Sequence, residues 1–131
     1  KEHQPHHQET PAMFVSPKLK TLVTYEGDQP WANMPLSRRI PEWPNESVSL
    51  AESWAAYVDD DGEGIGVFVP GVRQATCYRF LAGAGSSCSY LAPVRTFALK
   101  PRLDFSYQAY FTLGDAETIR RRFDEIHDRQ D

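Results

Sequence analysis

The chain has 131 residues, of which 40% are hydrophobic and 24% are charged, a composition that excludes a disordered chain and predicts one domain with a single core. Its 14 Lys and Arg residues against 18 Asp and Glu residues give a net charge of −4, which argues against a nucleic-acid partner because phosphate binding needs a positive face. No run approaches the roughly 20 apolar residues that cross a bilayer, so we expect no membrane insertion.

The N-terminal segment, residues 1–17, mixes prolines with polar residues and has no sustained period, which predicts an extended segment that lies on the body or hangs free. Imidazole is a common zinc and copper ligand, so His3, His6 and His7 form a weak metal candidate beside Glu9. Their spacing is not diagnostic, and a proline-rich segment offers little rigidity for a metal site. We therefore expect no bound cofactor, with a divalent metal as the alternative.

The body, residues 18–114, begins with a β-rich run over Lys18–Tyr25 that ends at a Glu-Gly-Asp turn. Residues 29–45 contain four prolines, which remove backbone donors and exclude a central strand, so this segment is predicted to be a long ordered loop. The clearest signal covers Trp54–Val69, where two β-rich runs flank an Asp-Gly turn and predict a hairpin.

Further strands are predicted over residues 73–80, 89–99 and 103–113, the last of which alternates apolar and polar residues strictly. Asp115 is a suitable N-cap, and apolar residues at helical spacing predict a helix over residues 115–128 within the C-terminal segment 115–131. The three arginines at 120–122 lie among acidic residues, which indicates a solvated helix face. These elements predict a mainly β fold, an antiparallel β-sandwich of jelly-roll-like or super-sandwich type, with one amphipathic α-helix packed on the sheet.

Two cysteines, Cys77 and Cys88, flank a run of small residues. If that run is a hairpin loop, the cysteines face each other and a cross-strand disulfide becomes plausible. An even number of cysteines suits an exported protein, and we expect a secreted or periplasmic location. The alternative is two buried free thiols.

Two tryptophans, Trp31 and Trp43, lie in the proline-rich loop rather than on periodic strands. Rings held on an ordered loop can stack on the apolar face of a sugar while neighbouring polar groups bind its hydroxyls. The candidates for those groups are Asn33, Arg38, Arg39 and Glu42. The alternative is that both tryptophans fix the loop onto the sheet, whereas Trp54 is assigned to the core.

Carboxylates provide the candidates for catalysis. Glycoside hydrolysis normally uses two carboxylates. Glu52 is the strongest candidate, because it lies just before the Trp54 strand and a charged side chain seldom points into a sheet without a function. The acidic residues at 59–61 are ordinary turn formers. If the protein is an enzyme, the candidate catalytic residues are Glu9, Glu52, His7, Tyr90 and Arg95.

Three segments together resemble the C-terminal portion of larger, largely uncharacterised exported bacterial proteins of β-sandwich or super-sandwich architecture that are linked to glycan breakdown. These segments are residues 7–14, residues 52–68 and residues 89–95. The resemblance implies a saccharide ligand, and it implies that the chain is a fragment or a reduced relative of a longer protein. The start at Lys1 leads to the separate expectation that an upstream portion was removed. The resemblance provides no catalytic motif that can be transferred residue by residue.

The preferred hypothesis is a β-sandwich module that binds, or assists the processing of, a neutral polysaccharide or oligosaccharide. The alternatives are a glycoside hydrolase or polysaccharide lyase, a metal-dependent oxidoreductase built on the N-terminal histidines, and a structural domain that contacts another subunit or the rest of a parent chain. Convergence of Trp31, Trp43, Glu9 and Glu52 on one concave surface would favour a saccharide site.

Overall fold

The computed structural model describes residues 4–83 and 85–130, and these residues contain ten β-strands and one α-helix. The elements are β1 (Pro5–Glu9), β2 (Met13–Val15), β3 (Thr21–Thr24), β4 (Ser37–Arg39), β5 (Glu46–Ser49), β6 (Trp54–Val58), β7 (Glu63–Phe68), β8 (Gln74–Phe80), β9 (Cys88–Ala98), β10 (Tyr110–Asp115) and α1 (Ala116–Gln130). No helix in this described part of the chain has the length and apolar character needed to cross a membrane.

The strands form two antiparallel sheets. In the first sheet the order is β1-β9-β8-β5, with β2 also paired to β9, and in the second it is β10-β7-β6-β3-β4. The facing sides of the sheets share one hydrophobic core, in which Cys77 and Leu91 of the first sheet lie with Leu22, Tyr57 and Val67 of the second. The predicted mainly β fold with two antiparallel sheets and one C-terminal helix is confirmed.

The helix covers the other face of the second sheet. Trp54 and Phe68 on that face form a second apolar cluster with Ile119 and Phe123 of α1. Because β6 is covered on both faces, every one of its residues is buried, which explains its continuous apolar sequence. Gly66 permits this close packing, since a Cβ atom there would lie only 2.5 Å from Cγ2 of Ile119.

The predicted helix start and the predicted hairpin are both confirmed. Asp115 Oδ1 accepts the backbone N–H of Thr118 at 2.8 Å and so caps α1. This hydrogen bond also lowers the pKa of the Asp115 carboxyl. Strands β6 and β7 pair from Trp54 opposite Phe68 onwards, and Gly62 in the turn between them has a φ of 81°, which favours glycine.

The predicted strand over residues 103–113 is too long at its N-terminal end. β10 begins at Tyr110, which lies opposite Phe68, the last residue of β7. The chain turns away two residues after Phe68, so residues 103–109 have no neighbouring strand to pair with. An alternating sequence produces a strand only where a partner backbone is present.

Within residues 4–17 of the N-terminal segment, two extended stretches, β1 and β2, pair with the first sheet. β9 is 11 residues long, and β1 and β2 both pair with it along the edge that β8 does not occupy. Short edge strands tolerate the prolines that made this segment look irregular. Prolines are confined to edge positions of a sheet, and the proline-rich loop accordingly contributes only a short edge strand, β4, which pairs with β3.

Tyr57 connects the two sheets through the core. Its hydroxyl donates a hydrogen bond to the backbone carbonyl oxygen of Tyr90 at 2.8 Å and lies 3.3 Å from that of Tyr78. Burial raises the pKa of Tyr57 far above its ordinary value, so the hydroxyl keeps its proton. The Tyr57 side chain of the second sheet thus fixes the position of β8 and β9 of the first sheet across the core.

The predicted disulfide is absent, and Cys77 and Cys88 are free thiols. The strand register places Cys77 opposite Leu91 and Cys88 opposite Phe80. Side chains alternate between the two faces of a strand, so residues 88 and 91 point to opposite faces. Cys77 therefore lies in the core and Cys88 on the outer face of the first sheet, and a bond between them would need a shift of register.

This arrangement predicts that one cysteine reacts in the folded protein. Burial raises the pKa of the Cys77 thiol to about 11, which leaves very little reactive thiolate near neutral pH, whereas Cys88 is partly exposed. Protein purified without reductant should show one fast thiol in a chromogenic disulfide assay, and a second only after unfolding in guanidinium.

The Cys88→Ser variant provides the control, because it should lose the fast reaction and keep the thiol that appears on unfolding. A wild-type protein that shows no reactive thiol in either state would contradict the free-thiol assignment.

Candidate functional site

The four residues expected to converge lie in two separate regions. Trp31 and Glu52 lie near α1, beside the second sheet. Trp43 packs on the outer face of the first sheet, where Glu9 also lies. The single concave site that would have united them is therefore not formed.

Glu52 is a buried carboxylate that precedes β6 and is only 1% exposed. Its Oε2 accepts the backbone N–H of Trp31 at 2.6 Å, and its Oε1 accepts the indole N–H of Trp54 at 2.9 Å. Arg120 of α1 donates to both oxygens, at 3.1 Å and 2.9 Å. A substrate could not reach this carboxylate without rearrangement, so its contacts give Glu52 a role in joining the loop, the strand and the helix.

Arg120 is not on a solvated helix face, which corrects the interpretation of the three arginines. It is buried, its Nη1 donates to the backbone carbonyl of Met34 at 2.6 Å, and its guanidinium lies 5.4 Å from the centre of the Tyr25 ring. The other two, Arg121 and Arg122, are exposed as expected. The signal available in the sequence was the position of Arg120 within the apolar stripe, four residues after Ala116.

Trp31 is held by these contacts in an uncommon backbone conformation, with a φ of 63°. His127 of α1 stacks on its ring with centroids 4.5 Å apart, and Phe68 meets it edge-on. A cavity of about 250 Å³ lies beside it, lined by Trp31, Asn33, Glu117, Arg120, Arg121 and Asp124. Trp31 thus fixes the loop onto the body, which is the alternative considered for it above.

A second group of aromatic residues crosses the outer face of the first sheet. We call it the aromatic row, and it consists of Phe14, Tyr90, Tyr78 and Trp43. The register places Phe14 opposite Tyr90 and Tyr90 opposite Tyr78, and the ring centroids are 4.8 Å and 4.5 Å apart. Trp43 meets Tyr78 at 5.0 Å and Phe80 at 4.8 Å.

The two ends of the aromatic row are open to solvent. Phe14 is 64% exposed and Trp43 is 58% exposed, whereas Tyr90 between them is 4% exposed. Tyr90 and Tyr78 stack almost parallel, so they support the exposed rings from within. Aromatic side chains that are both large and exposed at two ends of one row form a candidate interaction surface.

Glu9 brings a carboxylate to this row. It is an exposed residue of β1, and the hydroxyl of Tyr90 donates a hydrogen bond to its Oε1. Burial, together with the nearby Cys88 and Glu9, raises the pKa of Tyr78. The row therefore offers a carboxylate that accepts hydrogen bonds and a phenol that keeps its proton.

The two histidines of the N-terminal segment that the structure describes, His6 and His7, do not gather into one metal site. His6 and His7 are adjacent exposed residues of β1, so their side chains point to opposite faces of the strand. His7 lies on the same face as Glu9, two residues away. His3 lies outside the described residues.

Arg95 is separated from the other catalytic candidates. It lies opposite Gln8, so it points to the face of the sheet away from Glu9 and Tyr90. Its guanidinium donates to the carbonyl of Pro70 at 2.9 Å and lies 5.8 Å from the Phe105 ring.

Two of the polar candidates of the loop, Arg39 and Glu42, contact residues of β5. Arg39 donates to the carbonyl of Ser47 at 3.3 Å and lies 4.0 Å from the carboxylate of Glu46. The backbone N–H of Glu42 donates to the same carboxylate at 2.8 Å. Arg38 is an exposed residue of β4.

Near the end of α1, Asp124, His127 and Asp128 offer ligand atoms within 4.8 Å of one another. Burial and the neighbouring Asp128 carboxylate raise the pKa of Asp124. His127 Nδ1 lies 3.7 Å from Asp128. The group is partly exposed, and the sequence pattern did not predict it.

Comparison of the chain with protein-family models, with curated proteins and with solved structures found no significant match.

The contacts of Glu52 predict a large loss of stability when it is truncated. Glu52→Ala leaves the buried guanidinium of Arg120 without its partner, which typically costs about 3–5 kcal/mol. The free energy of unfolding, measured by urea denaturation, should fall by this amount. Asp60→Ala provides the matched control, because it removes an exposed ion pair with Lys20 whose contribution is below about 1 kcal/mol.

The double variant Glu52→Leu with Arg120→Met should recover part of that loss, because it removes both charges together but leaves the backbone N–H of Trp31 and the indole N–H of Trp54 without their acceptor. If Glu52→Ala proves as mild as Asp60→Ala, the central role of this carboxylate is wrong.

Proposed function

We propose that the chain is a carbohydrate-interacting β-sandwich module that binds a neutral polysaccharide, or assists its processing, through the aromatic row. The observation that carries this proposal is the pair of exposed rings, Phe14 and Trp43, on either side of the Tyr90–Tyr78 stack. The resemblance to exported proteins linked to glycan breakdown supports the same ligand class.

The chemistry of the row suits a sugar. A pyranose ring has an apolar face that packs on aromatic rings and a rim of hydroxyls that need hydrogen-bonding partners. Glu9 supplies an acceptor and the hydroxyl of Tyr78 supplies a donor. Thr76 and Ser47 are paired with each other, and strand alternation places both on the face that carries Tyr78.

This proposal predicts retardation of the wild-type protein in affinity electrophoresis on at least one soluble neutral glycan. A suitable panel is mixed-linkage β-glucan, xyloglucan, glucomannan, arabinoxylan and galactan. Trp43→Ala should weaken binding at least about tenfold, or about 1.4 kcal/mol, because it removes one exposed platform.

Phe111→Ala is the matched control, because Phe111 is an exposed aromatic residue of β10 in the other sheet, and it should bind as the wild type does. Trp31→Ala tests the other tryptophan of the loop and should have a smaller effect than Trp43→Ala. No retardation on any glycan, or a dimer in sedimentation that Trp43→Ala dissociates, would replace this proposal with a subunit-contact role.

A second function, glycan cleavage, is favoured by one observation. The hydroxyl of Tyr90 donates to the carboxylate of Glu9 at the edge of the aromatic row. Such a pair provides a proton acceptor and a proton donor side by side, which is what acid-base cleavage of a glycan requires.

Cleavage predicts that wild-type protein releases reducing sugars from a panel glycan and that Glu9→Gln and Tyr90→Phe abolish the release while binding persists. Glu63→Gln, an exposed carboxylate on β7, should leave the release unchanged. Absence of products from the wild type, or products that survive in Glu9→Gln, would remove this second function.

A further inference from the structure

We infer that the aromatic row binds an internal stretch of an extended, uncharged glycan chain that lies across the strands, rather than a single sugar or a chain end. This inference rests on the proposed function and specifies its ligand. It follows from the direction of the row, from its two open ends and from the charges beside it.

The direction of the row comes from the strand register. Phe14 on β2, Tyr90 on β9 and Tyr78 on β8 lie directly opposite one another, so the row runs perpendicular to the strands. Neighbouring strands are about 4.8 Å apart, which is close to the width of one sugar ring. The row therefore advances by about one sugar unit per strand. Trp43 extends it beyond Tyr78, with its ring 5.0 Å from that of Tyr78 and 4.8 Å from that of Phe80.

The open ends of the row decide between an internal stretch and a chain end. A site for a chain end must close around the terminal sugar, as a pocket does. Here the two terminal rings, Phe14 and Trp43, are the exposed members, and the closed ring Tyr90 lies in the middle. A bound chain can therefore continue past both ends, with sugars on the two exposed rings and at least one more between them.

The charges beside the row favour a neutral chain. Glu9 contacts the row through Tyr90, and the exposed Glu42 immediately precedes Trp43 in the sequence. Arg39, a cation of the same loop as Trp43, is paired with the Glu46 carboxylate at 4.0 Å. Carboxylates of a uronic-acid glycan would thus meet like charges, which is costly for binding.

The length of the bound stretch can be measured with oligosaccharides of one to six units prepared from each glycan of the panel. Isothermal titration calorimetry should show affinity rising at least about tenfold between one and three units and only slowly thereafter. Borohydride reduction of the terminal sugar of the hexasaccharide should change affinity less than twofold. Phe14→Ala should lower affinity for the hexasaccharide about tenfold and leave the disaccharide nearly unaffected.

Two results would overturn this inference while leaving the proposed function intact. One is affinity that is already complete with one or two units, and the other is loss of binding on end reduction, because both indicate a pocket for a chain end. Absence of binding to every glycan would instead refute the proposed function itself.

The charge preference has its own test on the same backbone. A carboxymethylated form of the glycan that binds should be retarded at least fivefold less in affinity electrophoresis, and both 0.5 M salt and Glu9→Gln should reduce the difference. Glu125→Gln should not, because Glu125 is an exposed residue of α1, which packs on the far face of the second sheet. Equal binding of the neutral and carboxymethylated forms would contradict the preference for an uncharged chain.

Discussion

The buried ion pair between Glu52 and Arg120 is the interaction on which most of this fold depends. Two charges removed from water are tolerated only when nearly every donor and lone pair is satisfied, and here the proline-rich loop, β6 and α1 each provide part of that requirement. If the loop changed its path or the helix its position, at least one of the two buried charges would lose a hydrogen-bonding partner.

The two outer faces of the sandwich are consequently unequal. The helix, fixed through Arg120, covers the outer face of the second sheet and leaves that of the first sheet to side chains alone. Aromatic residues occupy this uncovered face, where rings at the ends of a row remain in contact with solvent. This difference between the two faces explains why the two tryptophans of one loop differ. Trp31 packs against His127 of the helix, whereas Trp43 packs against Tyr78 on the outer face of the first sheet.

The features that the sequence predicted correctly depend on residues that are close together in the chain. The hairpin and the cap at Asp115 depend on residues within a few positions of one another, and both are present. The aromatic row was missed because its members come from distant strands, and no local pattern states that Phe14 will lie opposite Tyr90. Arg120 was misjudged for the same reason, as its partner is 68 residues away. The disulfide prediction failed because it depended on a register that only the paired strands determine.

Tyr57 has a consequence that reaches beyond the core. One phenol from the second sheet sets the position of the backbone directly beneath two members of the aromatic row, Tyr78 and Tyr90. The core and the outer face of the first sheet, which carries the aromatic row, therefore share a mutational constraint. Both acceptors are main-chain carbonyls, so a change at Tyr57 would shift the backbone that carries Tyr78 and Tyr90 and would alter the outer surface from within the core.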